Sequence, residues 1–462
     1  MSFSDQVRDP VHGFILWGKD VARGIVDIVD TPTFQRLRRI RQLAFAHYVY
    51  PGATHTRFEH SLGVFHIAGR LADKMKLSRS NRNLVLQAAL LHDIGHGPFS
   101  HVSENVLEKF YDERKVQLEE KEKIHEMVTW DIIRHDENLA RCISSSQKRN
   151  DIIKLLSEGY GDQILKDIVS GPLDADKMDY LLRDSLYCGV RYGIYDLDQL
   201  ISSLVPGDDP SGGKTLMIEP DGLHVVEQFV LAKYYITTQV YFHKVRRVTD
   251  AMLTRAVCEG IETDNIDELR QLYTYDGSPE FAHRYLEWDD ERLLREYTSE
   301  RYNGKVIYDI FNRLRYRRLY KLIYSKSVNE FRGEVYYQQL SIMKPDDPRL
   351  KKLESVIADS LDKKNYEVIV SLQDVKNVKE AAGSEGPVMV RLKAPEEARP
   401  FEQESSLFRS INEKLLERCL DCYLAIEDKN DRRKQEKRVE KVIKEELPVV
   451  LGKGGMNDAE HE

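Results

Sequence analysis

The sequence predicts a mainly α protein, a helical core with a small α+β domain towards its C-terminus. Between residues 31 and 340 apolar side chains recur largely at helical spacing. Two β-like runs, 366–372 and 387–392, follow around a Gly/Ser/Glu-rich loop. A composition of 41% hydrophobic and 32% charged residues fits a folded, helix-rich chain better than a disordered or membrane-embedded one. At 462 residues the chain exceeds the usual length of one domain. It is expected to divide into a lead-in (1–30), a core (31–205), a helical extension (206–340), a small α+β domain (341–426), and a charged helix with a disordered tail (427–462).

The elements follow in order. Asp9-Pro10, His12-Gly13 and alternating apolar positions around Ile25 to Val29 predict turns and short extended pieces. Thr31 as cap and Pro32 in the first turn open a helix through Phe34, Leu37, Ile40 and Leu43. Its Arg36, Arg38, Arg39 and Arg41 make either a solvated face or a phosphate-binding one. Pro51-Gly52 ends that unit, and helices over 59–76 and 83–94 stop at Gly95, Gly97 and Pro98. Helical patterns run from about residue 120 to 205, 207–222 predicts a loop or hairpin, and further helices reach about residue 340. A helix is expected near 405–422, a solvated charged helix over 427–446, and a disordered tail over 452–462.

Several classes are excluded. No apolar stretch approaches the roughly 20 residues that cross a bilayer, and MSFSDQVRDP lacks a signal-peptide pattern, so a cytoplasmic protein with no membrane partner is expected. Five scattered cysteines argue against a disulfide framework. Cys419-x-x-Cys422 lacks the second pair of a zinc ribbon and is read as two cysteines of a packed helix. A net charge of −8 gives no global attraction to nucleic acid, which leaves such binding secondary at most.

The chemistry concentrates where the apolar helix 84–91 ends in His92-Asp93. An imidazole and a carboxylate buried there without partners would be costly, and a metal ion resolves the cost. The bland alternative is a hydrogen-bonded core histidine beside a helix-end aspartate. More polar groups in similar settings tip the balance: His60 with Arg57 one turn earlier, His96 four residues after His92, His101, Glu104 and His125. Asp176, Tyr180 and Asp184 share one face of a charged helix whose leucines indicate burial.

These residues sit in motifs that resemble the HD-domain phosphohydrolases, and among them the sterile-alpha-motif-and-HD-type dNTP triphosphohydrolases and their bacterial relatives. The motifs are Asp9-Pro10-Val11-His12-Gly13, Tyr48-Val49-Tyr50-Pro51-Gly52-Ala53, Arg57-Phe58-Glu59-His60-Ser61-Leu62-Gly63, His92-Asp93-Ile94-Gly95-His96-Gly97-Pro98-Phe99-Ser100-His101, Asp174-Ala175-Asp176-Lys177-Met178-Asp179-Tyr180 and Tyr241-Phe242-His243-Lys244-Val245. The resemblance covers roughly residues 5 to 325.

It implies a helical HD-domain core and four metal ligands, His60, His92, Asp93 and Asp176, for one transition-metal ion (Fe, Zn, Mn or Co). It further implies phosphate contacts from Arg57, His96, His125 and Lys177. His101 matches a general acid for the departing 5′-oxygen, with Glu104 where the family often has aspartate. Gln42, Leu43, Tyr180, Asp184 and Tyr241 match the nucleoside surroundings, and Lys233 stands where an arginine contacts phosphate. The helical extension would complete the nucleotide site, and Mg²⁺ or Mn²⁺ would accompany the nucleotide phosphates. Asp30, Gln35, Arg38, Arg317 and Lys321 match a regulatory site for a GTP or dNTP activator in a homo-oligomer, a tetramer in many relatives. Basic residues on a helix also make a plain surface face.

The expected activity is hydrolysis of a dNTP to deoxynucleoside and inorganic triphosphate. The competing readings are a phosphohydrolase for nucleoside monophosphates or cyclic nucleotides, and a non-catalytic nucleotide sensor.

Overall fold

The computed structural model describes residues 6–17, 22–118, 123–158, 160–208, 213–344, 347–375, 387–391, 398–411, 417–427 and 429–452. The fold is mainly α with small sheets, in two units that are each discontinuous in sequence. The first comprises Met1–Val240, Asp267–Glu296 and Val378–Glu413; the second comprises Tyr241–Ile266, Tyr297–Asn377 and Lys414–Glu462.

In the first unit a two-stranded hairpin, Gln6–Asp9 against Gly13–Leu16, precedes the helices. Residues expected to be extended around Ile25 instead form helix Ala22–Val29, because Ile25, Ile28 and Val29 recur three and four apart and are all buried. Thr31 caps the next turn through the Phe34 amide, and Pro32 begins it, as expected. The helix does not reach Leu43, however. It tightens to a 3₁₀ turn over Arg36–Arg39 and ends at Ile40 in extended conformation. There the backbone turns to residues 55–57: the Ile40 carbonyl accepts the Arg57 amide at 2.9 Å and the Gln42 amide donates to the His55 carbonyl at 3.1 Å.

Helix Arg57–Lys74 starts at Thr56, whose amide donates to Glu59 at 2.9 Å in a capping box. Helix Arg79–Leu91 packs beside it with Val85, Leu86, Ala88 and Ala89 fully buried, delivering His92 and Asp93 at its C-terminal end. Asp174 caps helix Ala175–Cys188 by accepting the Lys177 amide, and Gly189 ends it in the left-handed conformation. The expected hairpin is strands Leu204–Asp208 and Lys214–Ile218. It continues into a four-stranded sheet through Met389–Arg391, parallel to Lys214–Ile218, and Ala398–Pro400.

The second unit holds a three-stranded antiparallel sheet ordered Lys321–Ser327, Glu417–Leu424, Val368–Val375. Its core includes Ile357, Val370, Leu420, Cys422, Leu424 and Ile443. The helix expected near 405–422 is corrected: helix Ser406–Ile411 is followed by strand Glu417–Leu424, so Cys419 and Cys422 lie on a strand. Leu420, Cys422 and Leu424 alternate onto the core face, a period-2 pattern masked by the i, i+3 cysteine spacing. The charged C-terminal helix runs Arg432–Gly452 and buries Val439, Ile443 and Leu447 on one face. Beyond Gly452 the expected tail lies outside the described residues. No helix among the described residues is long and apolar enough to cross a membrane.

Candidate metal centre

Three helices of the first unit bring His60, His92, Asp93 and Asp176 together. His60, His92 and Asp93 offer ligand atoms all within 4.8 Å of one another. His92 Nε2 lies 3.3 Å from Asp93 Oδ1 and 3.8 Å from Asp176 Oδ1, and His60 Nε2 lies 3.6 Å from Asp93 Oδ2. Two ligands bound at about 2.1 Å to one ion can be at most about 4.2 Å apart, so this spacing suits a single small cation.

The tautomers point the same way. His60 Nδ1 pairs with Asp179 Oδ2 at 2.8 Å, and His92 Nδ1 with the Ala89 carbonyl at 2.8 Å. Each ring therefore turns Nε2 inward, and both Nε2 atoms are buried without a hydrogen-bond partner. Asp176 Oδ1, 2.9 Å from His60 Nε2, stands off the line of a hydrogen bond. Two orphaned imidazole nitrogens facing two carboxylates fit a divalent metal. Burial opposes protonation of His60, while the neighbouring Asp176 and Asp179 carboxylates push its pKa up.

Beneath His60 lies a buried ionic chain. Asp179 Oδ1 meets His12 Nε2 at 2.6 Å, and Asp179 takes two hydrogen bonds from Arg183, at 2.8 and 3.0 Å. Arg183 also donates to Asp9 at 2.9 Å, and Asp9 caps the Val11 and His12 amides of the N-terminal turn. Burial alone would raise the Asp179 carboxyl, but Arg183, His12 and His60 hold it well below the usual carboxylate range. Gly63 permits this packing, since a Cβ there would overlap the Asp179 carboxylate and the Arg183 guanidinium.

A second cluster adjoins the centre. His96 Nε2 is 3.3 Å from Asp93 Oδ1, and its ring stacks on His125 with centroids 4.1 Å apart. Burial, then Arg57 and His125, keep the His96 pKa well below normal, so this ring is neutral, and its Nδ1 has no hydrogen-bond partner. Glu104 grips His125 through Nδ1 at 2.7 Å and through its backbone amide. Despite burial, that grip lowers the Glu104 pKa. His101 is exposed, its ring centroid 5.4 Å from that of His96. Arg57 pairs with Asp93 and, through Nε, with Ser100 Oγ at 2.8 Å.

Other expected residues are placed nearby or apart. Lys177 Nζ donates to Gly171 O at 3.0 Å and Asp174 Oδ2 at 2.6 Å. Asp184 Oδ1 pairs with His55 Nε2 at 2.7 Å. Gln42 is buried with its Oε1 unpartnered, Leu43 is buried, and burial raises the Tyr180 pKa. Lys233 is half-buried in the last turn of helix Leu223–Ile236. Tyr241 belongs to the second unit, with the Arg246 guanidinium 5.6 Å from its ring centroid. Asp30 is exposed, and Gln35 Oε1 accepts Arg38 Nε at 2.8 Å. Arg317, at φ 55°, and Lys321, which opens its strand, lie in the second unit. Sequence reasoning gave no role to His55, Asp179, Arg183 or Asp290. For Asp179 a signal existed, three residues after Asp176 in the same helix.

Residues 57–181 match the HD domain, and residues 195–444, more than half the chain, match the HD associated region. The chain belongs to the HD-domain family. This HD-domain protein is 33% identical over 299 residues to the uncharacterized protein YwfO of Bacillus subtilis, covering 63% of this chain and 62% of that one. It is 29% identical over 332 residues to the deoxynucleoside triphosphate triphosphohydrolase SAMHD1 homolog of Dictyostelium discoideum, covering 69% of this chain and 59% of that one. The chain spans about half to three fifths of the length of the curated relatives it matches. A crystal structure of a phosphohydrolase from Bacteroides thetaiotaomicron superposes with a TM-score of 0.69 at 26% identity, covering 91% of this chain and 99% of that one.

Proposed function

We propose that this HD-domain protein hydrolyses deoxynucleoside triphosphates to the deoxynucleoside and inorganic triphosphate. The observation that carries the reading is the direct adjacency of a cation-seeking centre to a buried imidazole cluster: Asp93 faces His92 on one side and His96 on the other. The triphosphohydrolase relative supports the substrate class.

His60, His92, Asp93 and Asp176 hold the metal. Bound there, a divalent ion supplies Lewis acidity and lowers the pKa of a water molecule. Arg57, His96, His125 and Lys177 bind and orient the phosphate chain, and Lys233 adds charge to it. Neutral His96 offers a ring nitrogen without the repulsion of a second fixed cation beside Arg57. His101, being exposed, is accessible to the departing 5′-oxygen and donates its proton there, while Glu104 fixes the His125 ring. Gln42, Leu43, Tyr180 and Asp184 recognise the nucleoside. Mg²⁺ or Mn²⁺ would accompany the phosphates, and Asp30, Gln35 and Arg38 bind an activating GTP or dNTP in a homo-oligomer.

The test is anion-exchange analysis of products from each dNTP, singly and mixed, with Mg²⁺ or Mn²⁺ and a His92→Ala/Asp93→Ala control. Deoxynucleoside plus intact triphosphate, absent in the control, is the expected result. Phosphate released only from monophosphates, hydrolysis of cyclic nucleotides alone, or no turnover with any metal would overturn it. Activity confined to mixtures or to added GTP is the signature of the activator site.

A further inference from the structure

The segment between His96 and His101 is held in a conformation that its residues do not favour. Phe99 has φ 60° and Ser100 has φ 55° with ψ −119°, both in the region natural to glycine. Such a turn persists only where its surroundings over-determine it. Three bonds from the N-terminal half of the chain contribute: Ser100 Oγ donates to Arg41 O at 2.8 Å, Ser103 Oγ donates to Pro98 O, and Arg36 Nη1 donates to His96 O at 3.0 Å.

The remaining hold comes from far along the chain. Asp290 Oδ1 accepts the Phe99 amide at 2.6 Å, and Oδ2 accepts the Arg41 amide at 3.0 Å. Asp290 is 5% exposed, so two backbone donors have been drawn onto one buried carboxylate. Its neighbours Trp288 and Asp289 extend the clamp: the Trp288 carbonyl accepts Arg36 Nε at 2.8 Å, and Asp289 pairs with Arg39. The three-residue run 288–290 thus grips both the arginine turn and the histidine turn.

We propose that Asp290 is a positioning residue: by holding the Phe99 amide it sets where His96 and His101 stand relative to Asp93. Its effect on turnover rests on the reading of those two imidazoles as substrate-side groups; its effect on the turn does not. Asp290→Asn keeps the size but replaces one acceptor by a donor, so one of the two amides loses its partner.

Hydrogen–deuterium exchange of the full chain is the direct test. Uptake by peptides covering 96–104 should rise at least about tenfold in Asp290→Asn, while helix Arg57–Lys74 and the metal content per chain stay unchanged. Faster exchange in both regions would mark a merely structural role and overturn the proposal, as would no change in either. If Asp290→Asn fails to fold, the unsubstituted chain still decides: 96–104 should exchange as slowly as the buried face of helix Arg57–Lys74, and loop-like uptake would overturn the clamp.

Leaving-group dependence gives a second readout. Cleavage of a dNTP expels an alkoxide that needs a proton, whereas bis(p-nitrophenyl) phosphate expels a stable phenolate. Asp290→Asn should therefore lower dNTP turnover at least about tenfold more than p-nitrophenolate release; equal losses overturn the positioning role. A wild-type chain inactive on both substrates would sink the proposed function, with the exchange experiment still judging the clamp.

Discussion

Two buried aspartates in the first unit have opposite electrostatic settings. Asp179, beneath His60, is surrounded by Arg183 and two histidines, and its carboxyl is held far below the usual range against the pull of burial. Asp290, beneath the histidine turn, accepts two backbone amides, and burial pushes its pKa up to about 7 despite them and Arg41, with Asp289 adding to the rise. Burial is common to both; what differs is whether a formal positive charge sits in hydrogen-bond contact. The metal end of the site is a compensated ionic lattice, and the imidazole end rests on a carboxylate close to neutrality.

The strongest way to break the contrast is Arg183→Met, which strips Asp179 of its main cation. A stranded buried charge costs about 3–5 kcal/mol, read as a loss of unfolding free energy in denaturant titration. An unchanged midpoint would mean that the two histidines suffice. Next comes Asp179→Asn, expected to weaken metal binding about 10- to 100-fold in chelator competition by releasing the His60 ring. Full affinity in that variant would show that His60 is oriented by packing alone.

Asp290 supplies a pH-dependent comparison. Its folded pKa exceeds the unfolded value near 3.8, so the native state holds its proton more tightly between about pH 4 and 7, and its contribution is fully present below that window and lost as pH rises through it. The stability gap between wild type and Asp290→Asn should therefore shrink from pH 4 to pH 7, and a gap that widens would contradict the assigned environment. The smallest effect belongs to an exposed pair, Arg70 with Asp198, whose carboxylate is 86% exposed. Asp198→Ala should change stability by less than about 1 kcal/mol.

Much of the metal end was legible because each piece has a local signature. His92-Asp93 closes an apolar helix, Arg57 and His60 lie one turn apart, and Asp176 follows a capping Asp174; the structure brings these side chains together. Its support was half-legible. Asp9 and His12 belong to a recognisable motif, yet nothing in a lead-in hairpin announces that His12 reaches a helix 167 residues away. Asp290 was not legible at all, since a carboxylate that caps two amides of distant turns leaves no periodic trace, and its partner Phe99 lies 191 residues earlier. The same limit applied to strand Glu417–Leu424, where two cysteines spaced for a helix distracted from alternation, and to the discontinuous units, because sequence order does not reveal which segments return.

That return gives the protein a timetable during synthesis. All four proposed ligands, the Asp179–Arg183 lattice and the hairpin that closes it are encoded before residue 184, whereas the clamp at 288–290 leaves the ribosome roughly a hundred residues later, after segment Tyr241–Ile266 of the other unit. At translation rates of about 5–20 residues per second, that delay lasts about 5–20 s. A nascent chain therefore carries all four proposed ligands while the turn bearing His96 and His101 still lacks its clamp. The side chains of the centre are made first, and the clamp on the part that would act on substrate is made last.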